Sequence, residues 1–201
     1  MPNFHLLRKP FMIILGMAIV WLTVYYIETS QDNNQISGTY LAKPFSNKMI
    51  LITSAGQSTD TYILQDLANE LRFNNLFMPE AYPSDLSDVT SIVVVVGYSE
   101  IGLALHDKSI EDESQRVRAL LDEADKLSLP LIVVYVGGKA RRNDETDMLL
   151  SLTCNQASFI ITTTEGNHDQ FLTSIARENS IPISYINSIT DLTMPLAAAF
   201  R

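Results

Sequence analysis

The run from Ser91 to Val96 (SIVVVV) leaves few architectures open. β-Branched side chains are stiff at χ1 and pack well on a pleated surface, so the run predicts a strand. Its apolar residues are consecutive rather than alternating. A half-solvated antiparallel strand alternates; a strand covered on both faces does not. Gly97 ends the run. Met49 to Thr53 (MILIT), Leu131 to Val136, Phe159 to Thr163 and Ile183 to Ile186 have the same character, and a weaker strand is expected over Leu76 to Met78.

Between these runs the period changes to that of a helix. Ile63, Leu64, Leu67, Ala68 and Leu71 define a first helix, with Thr59 or Asp60 as its cap and Asn74–Asn75 as its end. A long loop is expected from Tyr98 to about Ile110. A second helix follows over Glu111 to Leu127, burying Val117, Leu120, Leu121 and Ala124, before Pro130. Shorter helices are expected over Met148 to Leu152, Gln170 to Glu178 and Leu192 to Phe200. Strands alternating with helices imply an α/β fold with a mainly parallel sheet. With right-handed crossovers this is a doubly wound three-layer sandwich, flavodoxin-like or Rossmann-like.

This domain, placed at residues 48–201, is preceded by a segment of another kind. Phe11 to Ile27 (FMIILGMAIVWLTVYYI) carries no charge. At ~1.5 Å per residue it reaches about 26 Å, slightly less than a ~30 Å hydrocarbon layer. Trp21, Tyr25 and Tyr26 lie in its C-terminal half, and tyrosines suit a water–lipid interface. Arg8 and Lys9 precede the run and Glu28 and Asp32 follow it, which predicts an inside N-terminus and an exported domain. A cleaved signal peptide is the alternative, but Tyr25-Tyr26-Ile27-Glu28 lacks the small residues of a cleavage site. The expected layout is a cytoplasmic stretch over 1–10, a transmembrane anchor over 11–27 and a polar tether over 28–47, all in the cell membrane as a single-pass protein.

The net charge of −9 disfavours nucleic acid, whose binding needs a basic footprint. The single cysteine, Cys154, reads as a small buried residue at a helix end. Three histidines and one cysteine give no metal-ligand spacing, and there is no G-x-G-x-x-G, Walker A or G-x-S-x-G motif. Neither a metal nor a cofactor is expected.

Ligands of open α/β sheets bind beyond the carboxyl ends of the strands, where the strand order reverses. The unusual residues of this chain follow its strands. Ser54, Gly56, Gln57 and Ser58 follow the first, and Gly97 follows the third. Gly137, Gly138, Lys139, Arg141 and Arg142 follow the fourth; Glu165 and Asn167 follow the fifth. Under either strand order the first and fourth sets lie within about two strand spacings, roughly 10 Å. Lys139, Arg141 and Arg142 stand out in an acidic chain, and arginine matches a carboxylate or phosphate. The alternative is a solvated basic turn paired with Asp144, Glu145 and Asp147. Glu165 and Asp169 could form a carboxylate pair, with helix capping the simpler role for Asp169.

The segments ILITSAGQSTD, VVVVG, VGGKARRNDETD and EGNHDQFLTSIARENSIPI resemble the bacterial family known as domain of unknown function 6305, over roughly Lys48 to Phe200. The matching positions are Gly56, Gln57, Ser58, Asp60, Gly137, Gly138, Arg141, Arg142, Glu165, Gly166 and Asn167. The family pattern has a glycine after Ala-Arg-Arg and a serine before the later aspartate; here these are Asn143 and Thr146. The resemblance implies a bacterial source and commonly an N-terminal export or anchor segment, and brings no activity. The expected function is binding of a small anionic metabolite, a carboxylate or phosphate, with a transporter or sensor subunit of the same membrane as the expected partner. An enzyme using Glu165 or Asp169 as acid–base, or a scaffold without a ligand, are the alternatives.

Overall fold

The structure, a computed structural model, describes residues 43–200. The expected anchor over Phe11 to Ile27 and most of the tether lie outside these residues. Among the described residues no helix is long and apolar enough to cross a membrane.

Six strands form one wholly parallel sheet in the order β2-β1-β3-β4-β5-β6. They are β1 (Ile50–Ala55), β2 (Asn75–Phe77), β3 (Ser91–Val96), β4 (Leu131–Tyr135), β5 (Phe159–Thr163) and β6 (Ile183–Ile186). The helices are α1 (Asp60–Glu70), α2 (Glu100–Ala104), α3 (Ile110–Lys126), α4 (Asp144–Cys154), α5 (Phe171–Glu178) and α6 (Thr193–Phe200). Every residue of β1, β3, β4 and β5 is buried, as continuous apolar runs require.

Side chains alternate across the sheet, so each strand feeds two cores. On one face Leu51, Ile92, Val94, Val96 and Val133 meet Val117, Leu120 and Leu121 of α3, Leu149 and Leu150 of α4, and Leu172 of α5. On the other Ile50, Ile52, Val93, Val95 and Ile132 meet Leu64 and Ala68 of α1 and Leu196, Ala199 and Phe200 of α6. The sheet is therefore covered by helices on both sides. Cys154 is the last residue of α4 and is buried; burial pushes its thiol up to about 12.

Several boundaries differ from those the sequence suggested. Strand β1 runs through Ser54 and Ala55, because Ile50 to Ala55 stays in register with Ser91 to Val96 along its whole length. Helix α1 stops at Glu70 rather than at Asn74–Asn75: Arg72 turns into the left-handed region at φ 58° and Phe73 N–H bonds back to Ala68 O. Ser58 rather than Thr59 supplies a hydroxyl at its start, accepting from Asp60 N–H at 3.2 Å. The loop after β3 contains α2, capped by the Ser99 hydroxyl on Gly102 N–H at 3.0 Å. Helix α4 begins at Asp144, four residues before Met148, because the Asn143 side chain caps Thr146 N–H at 2.8 Å.

Candidate functional site

The strand order reverses between β1 and β3, and the chain itself fills the crevice there. Gly56, at φ 100°, and Gln57, at φ 59°, turn the chain sharply out of β1. A Cβ on Gly56 would stand 2.5 Å from Gly97 O and 2.8 Å from a Leu149 methyl. Beneath the turn lies Glu113, with no solvent exposure, from the first turn of α3. Its Oε1 accepts Gly56 N–H at 2.8 Å and the Gln57 amide at 3.1 Å. Arg116 clasps the same carboxylate through Nε and Nη2, both at 2.8 Å. Its other donors reach Ala81 O at 2.7 Å and Ser54 O at 2.6 Å. Burial pushes the Glu113 carboxyl up, but Arg116, Gly56 N–H and the Gln57 amide outweigh it and hold the group below the usual carboxylate range. The anion beneath the first βα turn is thus a residue of the protein. Gly97 permits close approach: a Cβ there would come within 2.9 Å of Ser58 Cβ. Ser54 and Ser58 are both buried.

Two strand spacings away, the loop after β4 reaches back over this crevice. Tyr135 Oη donates to Gly138 O at 2.8 Å; burial pushes this phenol up to about 12. Gly138 takes φ 66°, and residues 139–141 form a single 3-10 turn. Arg141 Nε donates to Gly137 O at 3.2 Å, and its Nη2 meets Asp60 Oδ2 at 2.5 Å. Asp60 is the first residue of α1 and is nearly buried, whereas the Arg141 side chain is 49% exposed. This ion pair joins the first and fourth sets of loop residues. Among the described residues Arg141 Nη1 has no partner, and Lys139 is exposed without an ion pair.

Arg142 points the other way. Its side chain is only 6% exposed. It pairs with Asp147 through Nε, with Asp169 Oδ2 at 3.1 Å through Nη2, and with Gly166 O at 2.7 Å through Nη1. Its guanidinium also lies over the Phe171 ring, 4.9 Å from the centroid. Arg142 fastens the β4 loop to the β5 loop and has little capacity left for a ligand. Of the three acidic residues expected to neutralise a basic turn, Asp147 does so; Asp60 and Asp169 supply the other pairings.

The loop after β5 is equally committed. Asn167 Oδ1 accepts Leu172 N–H at 2.9 Å and Thr173 N–H at 3.2 Å, closing the start of α5. Asp169 accepts Phe171 N–H at 3.2 Å. Burial raises its carboxyl, but this bond and Arg142 prevail and keep it below the usual range. A carboxylate so held is a poor proton donor at neutral pH. Glu165 is exposed, and its Oε2 lies 3.4 Å from where a Cβ on Gly138 would stand.

The roles of Asp60, Glu113 and Arg116 escaped the expectations. For the last two the signal was present: stepping back four residues from Val117 and Leu120 gives Glu113 and Arg116, on the apolar stripe of α3.

Among solved structures the chain is similar to a GDSL-like lipase from Bacteroides thetaiotaomicron, at 12% identity, 72% coverage of each chain and a TM-score of 0.35. It is also similar to a mutant of the esterase AlinE4, at 8% identity, covering 76% of this chain and 80% of that one, with a TM-score of 0.31. Likenesses this distant say nothing about activity. No curated protein matches the chain. Residues 47–200 match the family described as Domain of unknown function (DUF6305), and the chain belongs to that family.

Proposed function

We propose that the chain is a membrane-anchored, extracytoplasmic binding protein for a small anionic metabolite, held at the carboxyl ends of the strands by Arg141. One observation carries this reading. The Arg141 guanidinium is half exposed, yet fixed on one side by Asp60 and Gly137 O, while Nη1 is free among the described residues. A planar fork already oriented loses little freedom when it takes up a carboxylate or phosphate. Lys139 adds a second cation at the same rim. The strand order, read as a doubly wound flavodoxin-like topology, supports the location, since such sheets bind ligands beyond their carboxyl edge. The buried Glu113 moves the binding position from the β1–β3 crevice to the β4 loop above it. The uncharged run from Phe11 to Ile27 supports the anchor, and a transporter or sensor subunit in the same membrane is the natural recipient of a captured metabolite.

The test is a thermal-shift screen of the full chain in detergent against inorganic phosphate and simple mono- and dicarboxylates. A binder gains stability as ligand rises above its dissociation constant. Arg141→Ala is expected to weaken any response about ten- to a hundredfold, the loss of ~1.5–3 kcal/mol from a charge-assisted bond. Arg142→Ala is expected instead to lower the melting temperature without ligand, because it unties Asp147, Asp169 and Gly166. No response from any anion, or an undiminished one in Arg141→Ala, would overturn the reading.

A further inference from the structure

The rim that carries Arg141 carries an opposite charge beside it. Arg141 Nε is bonded to Gly137 O, and Glu165 Oε2 lies 3.4 Å from where a Cβ on the next residue, Gly138, would stand. A guanidinium and a carboxylate thus flank the same pair of glycines. They do not neutralise each other: among the described residues Arg141 pairs only with Asp60, and Glu165 makes no ion pair or side-chain hydrogen bond.

The backbone turns that carry them are held from below. Glu165 opens the 3-10 turn of residues 165–167. Gly166 N–H is held by Thr163 Oγ1 at 3.0 Å, and Gly166 O by Arg142 Nη1 at 2.7 Å. Arg142 adjoins Arg141, so the residue that fastens the β5 turn also holds the backbone bearing the half-exposed guanidinium. Tyr135 Oη holds the Gly138 carbonyl between them at 2.8 Å. The chain commits a nearly buried arginine and a buried tyrosine to this arrangement.

A plain anion at Arg141 would meet repulsion from Glu165. A ligand that also carries a cation would have both charges matched. Resting on the anion-binding reading above, we propose that the ligand is dipolar, an amino acid whose carboxylate is taken by Arg141 and whose ammonium group is taken by Glu165. Arg142 acts as a positioning residue for the pair.

The experiment uses the full chain in detergent and compares, by thermal shift and then by calorimetry, three sets of probes. These are the common amino acids, their deaminated acids (propionate, succinate, glutarate) and their decarboxylated amines. Inorganic phosphate is run beside them. At least one amino acid is expected to bind roughly ten times more tightly than its deaminated acid, with the amine inactive. Glu165→Gln should bring that amino acid down to the level of its acid, while Arg141→Ala should remove both responses. If acids or phosphate bind as well as every amino acid, or if Glu165→Gln leaves the preference intact, the dipolar assignment is wrong and the anion site stands. If neither acids, phosphate nor amino acids bind, the anion site falls and the dipolar assignment with it.

Discussion

Glu113 and Arg116 form the most consequential pair of side chains in the domain, because they are buried under the turn that leaves β1. A buried ion pair is a net gain only when its remaining donors and acceptors are satisfied. Here four contacts outside the pair do so, from Gly56 N–H and the Gln57 amide to Glu113 and from Arg116 to Ala81 O and Ser54 O, and no buried side-chain polar atom among the described residues lacks a partner. Removing one charge should cost about 3–5 kcal/mol, since the other is then left uncompensated. Glu113→Gln keeps the shape and deletes the charge, so its denaturant midpoint at neutral pH should fall well below that of the parent. The pair also sets a pH dependence. The folded Glu113 carboxyl lies below its usual range, so the unfolded chain takes up the proton first as pH falls. Its contribution is complete above the usual carboxylate range and fades as pH drops through the folded value. Urea unfolding of parent and Glu113→Gln between neutral and acid pH should show the gap narrowing at the acid end. A gap that stays constant would remove Glu113 as a source of acid lability.

The strands were legible where consecutive apolar residues left one solution, as at Ser91 to Val96 and Phe159 to Thr163, both observed with those bounds. The helices were legible by period but not by their ends. Arg72 ends α1 through a left-handed backbone that arginine rarely adopts, and α4 begins at a cap formed by Asn143. Neither choice follows from local propensity alone. Helix α2 was missed because it is only five residues long, with Ile101 exposed and Leu103 alone buried, so it gives no stripe to read. The closeness of the first and fourth loops was anticipated, but their link was not: Asp60 lies 81 residues before Arg141. The junction of β1 and α1 carries its own prediction. Gly56 combines φ 100° with a Cβ position 2.5 Å from a carbonyl oxygen. Gly56→Ala should therefore cost more than the ~1–3 kcal/mol of backbone strain alone, since Gly97 must also move. A melting temperature within a degree of the parent would show that the turn relaxes freely.

The described domain is covered by helices on both faces of its sheet, and the proposed anchor lies before it in the chain. The described chain starts at Lys43, close to the amino ends of the strands: Phe45 N–H bonds to Ala199 O at 2.7 Å and Ser91 Oγ to Ser46 O at 2.9 Å. The candidate site lies at the opposite, carboxyl edge of the sheet. If Phe11 to Ile27 is the proposed anchor, the preceding Arg8 and Lys9 would direct the domain outward by the positive-inside tendency. Protease added to intact spheroplasts should then degrade the domain while a cytoplasmic marker survives. The full chain should also stay with membranes through a high-salt wash, which strips proteins held by charge alone. Mass spectrometry should find a mature chain that still includes Phe11 to Ile27. A domain protected until the membrane is broken would reverse the orientation. A mature N-terminus near Glu28 to Asn34 would turn the anchor into a cleaved export signal, leaving the domain outside the cytoplasm but free of the membrane.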